Sequence, residues 1–370
     1  NGTALSKEHH TFAGWYSAYY DVTYSESTSM TYTVPVDGDI LEAQWIEDHF
    51  GTVTFKNGET TTSTIKVYDG GTYDLAAALV QAGKEFIGWK WNGNMYTAGQ
   101  ANQHMTNPAE DRTYTAVWMP VIDVATADAA DLSDGKWILV QNKSQLKAGD
   151  FIVIAAAGYN AALSNYQKTG NRGDAAVTKI ADTLTYTSNV APLFLQYDPE
   201  NDYYAFYDRA YTTDLNVAPS QKGYLYAPNA LKTQTGITMQ GVWAIDIVNK
   251  KASIVAQGNN SDKIMRYNKG SNLFNCYGTA TQSDIAIYKW AKNISSDMNV
   301  SDVTNTDMVI VQDGATLTID EASTLDNLIV EAGGTVDFAE NKTLTVNDLT
   351  LKTSLGTVDG IDNPSLSTGG

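Results

Sequence analysis

One pattern limits this chain more than any other: part of it is written twice. Phe12-Ala13-Gly14-Trp15 recurs as Phe86-Ile87-Gly88-Trp89, and Ala43-Gln44-Trp45 recurs as Ala116-Val117-Trp118. The two pairs of tryptophans stand 74 and 73 residues apart, so the period is nearly constant. A fixed period means that one small unit is built twice, with its boxes at equivalent places. The first copy, residues 1–47, lacks a front half, whereas the second, residues 48–121, is complete. With a start at Asn1-Gly2-Thr3 and no initiator Met, this reads as a mature fragment of something longer.

The complete copy can be read element by element. Thr52-Val53-Thr54-Phe55 alternates as a strand does, and Asn57-Gly58 is a strong hairpin turn. Ile65-Lys66-Val67-Tyr68 is the return strand. From Tyr73 to Ala82 the spacing of Leu75, Leu79 and Val80 predicts a helix, ended by Gly83. Phe86 to Trp91 and Arg112 to Trp118 supply the last strands. The result is a small β-grasp-like sheet carrying one helix. Trp15, Trp45, Trp89 and Trp118, at matching positions, are expected in the cores.

The Val-Thr-Phe strand, the Phe-x-Gly-Trp box and the terminal Ala-x-Trp resemble the Listeria–Bacteroides surface repeat, also called the internalin B-type repeat. The resemblance covers about the first third of the chain. It implies a compact spacer used in tandem on bacterial surface proteins of the Bacteroidetes type, and it implies no catalysis.

Residues 122–136, with Asp123, Asp128, Asp131 and Asp134, read as an acidic linker. Residues 137–292 then show a second pattern. Strand-like runs at Leu193, Tyr203 and Tyr224 are matched by runs at Val242, Ala252 and Ile264. Trp137, Phe151 and Tyr159 open similar runs, and Asp284 to Tyr288 adds a closing strand. Three such units predict a β-trefoil-like barrel, in which closure removes exposed sheet edges. A plain Greek-key barrel is the rival. Its Leu146-Lys147-Ala148-Gly149-Asp150 opening is similar to that of β-domains appended to secreted Bacteroidetes proteins. After a linker at 293–306, residues 307–360 carry short strands every 8–11 residues, separated by Gly, Asp or Asn. That rhythm suits a short β-solenoid-like or sandwich tail. Residues 361–370 are expected to be a disordered end. The fold class is thus mainly β and multidomain.

Charge excludes some partners. Lys and Arg number 24 against 42 Asp and Glu, a net charge of −18. Nucleic acid needs a basic face, and anionic membrane surfaces do too. No run of 18 apolar residues is present to span a membrane. The 22 tyrosines and 29 glycines, with a single cysteine, lean toward an extracellular or cell-surface protein without disulfides.

Histidine is the quickest test for an enzyme. His9, His10, His49 and His104 all lie in the repeats, so residues 137–370 have no histidine for a Ser-His-Asp or Cys-His site. Paired carboxylates for glycoside hydrolysis have candidates in Asp198, Glu200, Asp202, Asp208 and Asp246, none placed by a motif. Asp37-Gly38-Asp39 and Asp198 to Asp202 are the calcium candidates, against which ordinary turn chemistry weighs more. Arg172-Gly173-Asp174 spells an integrin-type tripeptide. Cys276 reads as a small buried hydrophobe. The most usable signal is aromatic. Tyr203, Tyr204, Tyr207, Tyr211, Tyr224 and Tyr226 crowd one stretch, and Tyr204, Tyr207, Tyr224 and Tyr226 are the candidates to stack on sugar rings, although alternate tyrosines of a strand also serve as core. The reading is a non-enzymatic modular segment without a cofactor, acting as spacer and adhesion or binding region toward glycans or other surface proteins. The alternative is a carbohydrate-binding accessory region of a secreted glycan-degrading enzyme.

Overall fold

In the computed structural model the described residues are 6–24, 32–186, 189–352, 357–358 and 366–368. Strands hold 53% of the chain and helix 4%, so it is mainly β. It divides into two compact units. One comprises Asn1–Leu79, Trp89–Gly93 and Thr97–Ala116; the other comprises Val80–Gly88, Asn94–Tyr96 and Val117–Gly370.

The first repeat copy is a three-stranded sheet. His10–Ser17 lies between Val22–Tyr24 and Leu41–Glu47 and pairs antiparallel with both. A bulge between Phe12 and Gly14 brings Phe12 and Trp15 onto one face, opposite Trp45 and Ala43. Gly14 sits at φ +128°, and a Cβ there would collide with the Tyr24 carbonyl. The complete copy repeats this arrangement: Gly88 sits at φ +159° against the Tyr96 carbonyl. Its sheet has five strands, in the order Thr60–Tyr68, Phe50–Asn57, Arg112–Pro120, Lys84–Trp91, Asn94–Tyr96. Phe50–Asn57 runs parallel to Arg112–Pro120, from Arg112 beside Val53 to Thr115 beside Lys56.

The predicted helix over 73–82 is not there. Residues 74–80 have no regular secondary structure. Their backbone bonds instead to a neighbouring loop: Leu75 N–H donates to Gln100 O at 3.0 Å, and Ala76 O accepts from Gly99 N at 3.0 Å. Ala76 O also accepts from Trp89 Nε1 at 2.8 Å. Of the expected apolar stripe only Leu75 is buried, while Val80 is fully exposed. Alanine-rich propensity is a weak preference that such tertiary bonds override.

The other unit is built round a ring of six antiparallel strands. Phe151–Ala156, Leu193–Asp198, Tyr203–Tyr211, Trp243–Val248, Lys251–Ala256 and Ile285–Ile294 pair in that order, and the last pairs back to the first. Three hairpins rise from it: Ala161–Gln167 with Arg172–Ala176, Gln221–Tyr226 with Lys232–Gln234, and Ile264–Asn268 with Leu273–Tyr277. Strand alternation divides the side chains. Ile152, Ile154, Tyr204, Phe206, Trp243 and Ile254 fill one core cluster, and Phe151, Val153, Tyr203, Ala205, Tyr207 and Tyr288 belong to a second. The strand opened by Trp137 was expected in the ring. Gly135–Leu139 instead lies on the flank of Ile285–Ile294, with Trp137 opposite Trp290, and Ile285–Ile294 takes the ring position.

The stretch read as an acidic linker has structure of its own. Val124–Ala129 is a helical turn capped by Asp123, and Ala127 is buried. Arg209 Nη1 donates to the carbonyls of Ala127 and Ala130.

The C-terminal region is β-solenoid-like. One row stacks Lys292–Ile294, Met308–Val311, Asn327–Val330 and Asp348–Leu351 in parallel. A second row stacks Met298-Asn299, Thr316–Ile319, Thr335–Phe338 and Thr357–Val358. Leu317 pairs with Val336, 19 residues on, so the 8–11-residue rhythm of the sequence is half a coil. Val309, Val311, Leu317, Ile319, Leu328 and Val336 fill the space between the rows. The expected linker at 293–306 supplies the first coil, and Leu366–Thr368 pairs with Leu344–Val346. The rest of the expected disordered end lies outside the described residues.

A charged cluster ties the ring to the coils. Lys289, fully buried, meets Asp150 at 2.9 Å and Asp307 at 2.5 Å. Lys147 meets Asp307 at 2.7 Å and Asp326 at 3.0 Å. Removing one member leaves its partner charged and buried, which is the costly case.

Candidate functional site

The four tyrosines singled out in the sequence do not form a platform. Tyr204 is 1% exposed inside the ring, against Phe206, Trp243 and Ile254. Tyr207 and Tyr224 are also buried, with rings 5.3 Å apart. Burial pushes all three phenols up, Tyr224 to about 12, and Tyr207 also donates to Asp128 Oδ1 at 3.1 Å. Only Tyr226 keeps partial exposure. Three of the four therefore have no face left for a sugar.

The other candidates are likewise engaged. Arg172 is fully buried in an ion pair with Asp208 at 2.7 Å, so the Arg-Gly-Asp tripeptide offers no free guanidinium. Asp198 is buried and accepts from Glu200 N and Asn201 Nδ2, which is turn chemistry. Glu200 pairs with Lys84 and Asp202 with Lys143. Asp39 accepts from Ser17 and Tyr32 hydroxyls and two backbone N–H groups. Among the described residues no group of three or more His, Cys, Asp or Glu is placed to hold a metal ion. His9 stacks on Tyr68 at 3.8 Å while His10 bonds to Glu8 O, so the adjacent pair is used separately. Cys276 is 1% exposed, and burial pushes its thiol up, away from the reactive form.

A different place on the ring domain collects useful chemistry. A cleft of about 330 Å³ opens between Ala161–Gln167, the end of Tyr203–Tyr211, and Lys232–Gln234. Tyr166 and Tyr211, both partly exposed, line it together with Gln167, Thr233, Lys168 and Lys232. Both tyrosines owe their positions to irregular pairing. The register shifts between Leu163 and Gln167, and again between Asp208 and Tyr211. Such bulges re-aim side chains. Gln167 N donates to Thr212 O at 2.8 Å, and Thr212 N to Asn165 O at 2.9 Å, which fixes the two segments together. Beneath lies the Arg172–Asp208 pair. Arg172 also donates to Thr233 Oγ1 at 2.8 Å and stands 5.7 Å from the Tyr211 ring.

Gln167 is the unusual member of the cleft. It is 9% exposed, and its Nε2 donates to Lys168 O at 2.7 Å and Asn171 O at 2.8 Å. That fixes which end of the amide is oxygen, and Oε1 is buried with no hydrogen-bond partner. On the other side of Tyr166 a second cleft of about 390 Å³ adds Ser164, Asp174 and Asn189. Tyr166 and Lys168 line both clefts, and the Tyr166 ring lies against Gly173, where even a Cβ would stand 3.3 Å from the ring.

A larger groove of about 420 Å³ is lined by Ile138, Ile180, Ile310 and Ile329, with Lys136 and Glu331 among its charged residues. No aromatic ring lines it. No helix is long and apolar enough to cross a membrane among the described residues. Comparison with protein families, curated proteins and solved structures returns no match.

Proposed function

We propose that this chain is a non-catalytic binding segment of an extracellular or cell-surface bacterial protein, and that its ring domain is a β-trefoil that holds glycans at the Tyr166–Tyr211 cleft. Six ring strands with three hairpins at regular places support the trefoil reading. Paired boxes at a near-constant period support reading residues 1–121 as internalin B-type spacers. The single observation that carries the binding role is the cleft itself. Two tyrosine rings flank a floor to which Gln167 and Thr233 contribute. Ring faces suit the C–H face of a sugar, and the exposed hydroxyls of Thr169 and Thr213 in the lining can bond a sugar's hydroxyls. No carboxylate lines this cleft, whereas Lys168 and Lys232 do, on a chain of net charge −18. Local positive charge on an acidic protein favours sugars bearing a carboxylate or sulfate.

The test is a glycan array probed with the full chain, followed by titration of any retained sugar. Tyr211→Ala and Tyr166→Ala are expected to abolish retention, and Tyr226→Ala to leave it intact. Retention that survives loss of both tyrosines, or no retention of any glycan, removes the proposal.

A further inference from the structure

We infer that the ligand of the Tyr166–Tyr211 cleft is a chain in which an acidic sugar is joined to a neutral acetamido sugar, the second sugar lying in the neighbouring cleft. This rests on the glycan reading above and narrows it. The two clefts share Tyr166 and Lys168. Both side chains lie on Gly173, where a Cβ would stand 3.3 Å from the Tyr166 ring and 3.7 Å from Lys168 Cε. A ligand that passes Tyr166 and Lys168 can therefore touch both clefts.

Charge sets the two clefts apart. The first, about 330 Å³, is lined by Lys168 and Lys232 and by no carboxylate among the described residues. The second, about 390 Å³, sets Asp174 against Lys168. An anionic sugar is drawn to the first cleft and gains nothing from the second, where the charges balance.

The rest of the second lining narrows the neutral sugar. Asp174 is half-buried and held in place by Tyr267 Oη, which donates to its Oδ2 at 2.8 Å. Leu215, 70% exposed, and Ala176, also exposed, supply apolar surface beside it. The turn that presents Leu215 is bonded within itself. Thr212 Oγ1 donates to Asp214 O at 2.8 Å, and Asn216 N donates to Asp214 Oδ1 at 2.9 Å. Asn189 adds an exposed amide. An acetamido group matches this lining in both its parts: its N–H donates to a carboxylate, and its methyl packs on small apolar side chains. The sugar's hydroxyls bond the Asn189 amide.

The full chain is titrated with three probes: glucuronic acid, a hyaluronan tetrasaccharide (glucuronate alternating with N-acetylglucosamine), and a tetragalacturonide, which is acidic throughout. The hyaluronan tetrasaccharide is expected to bind about tenfold tighter than glucuronic acid, and the tetragalacturonide about as glucuronic acid does. Leu215→Ser, on an exposed turn, is expected to remove the gain and leave the binding of glucuronic acid unaltered. Asp174→Asn is expected to let the tetragalacturonide bind more tightly. Equal affinity for the two tetrasaccharides, or a gain that survives Leu215→Ser, overturns this inference and leaves the first cleft standing as a single-sugar site. If none of the probes binds, the inference falls, and the glycan array alone decides the reading beneath it.

Discussion

The two repeat copies share a scaffold and differ in what it buries. In each, a glycine in the Phe-x-Gly-Trp box lies against a tyrosine carbonyl, and the box phenylalanine meets the terminal tryptophan edge-on. Phe12 and Trp45 are 5.4 Å apart at 69°, Phe86 and Trp118 5.2 Å at 84°. Yet Trp89 is sealed and Trp15 is not. The repeated box therefore sets strand geometry, whereas burial of its tryptophan depends on a hairpin that stands some 30 residues earlier in the chain. A motif and the core it serves are separate things.

That contrast can be broken in three ways, the largest first. Trp89→Ala should cost about 3–5 kcal/mol, the range for emptying a buried aromatic site. Trp15→Ala should cost less, because its side chain already keeps partial exposure. Chemical denaturation followed by local hydrogen exchange at Lys84–Trp91 and His10–Ser17 reads each copy separately, and equal losses would sink the contrast. Next, Gly14→Ala and Gly88→Ala should each cost about 1–3 kcal/mol and by similar amounts, since both collide with a carbonyl. Unequal costs would show that the two glycines are not held alike. Smallest is the response to acid. The hydrogen bond from His49, with another from Ala109 N–H, holds the Asp69 carboxyl below its ordinary value in the complete copy. In the first copy burial pushes Asp39 up, but hydrogen bonds from Ser17 and Tyr32 hold it below. A carboxyl pKa lower in the folded than the unfolded state stabilises at neutral pH, and its contribution fades as pH falls through the folded value. Both copies should loosen together below the ordinary carboxylate range, read by amide exchange against pH. Acid loosening of one copy alone would mean that these carboxylates do not play equivalent parts.

Local signals in the sequence were read well and long-range ones were not. Alternation and turn residues placed Thr52–Phe55, Leu193–Leu195, Ala252–Val255 and Met308–Val311 in strands, because period two and Gly or Asn punctuation are local properties. The helix that the spacing predicts over 73–82 does not form because Leu75 and Ala76 bond to a loop about 25 residues away. The run at Trp137 resembles a ring strand in sequence, and only its register against Trp290 sets it on the flank. The tyrosine cluster was located but not resolved. Tyr203 to Tyr207 alternate between the two core clusters, a fact that sequence crowding hides. Tyr211 belongs to the tyrosine-rich stretch, but nothing in the sequence joins it to Tyr166, since each lies at a bulge and their segments meet across 45 residues. The Lys289–Asp150–Asp307 cluster was invisible for the same reason.

One strand has a mechanical consequence. Ile285–Ile294 closes the ring with its first half and starts the coil stack with its last three residues, without a break between. A tail joined by a loop could swivel. This one cannot turn without shearing ladder bonds inside the ring, so a pull on the coils arrives as load along a strand that the ring itself needs.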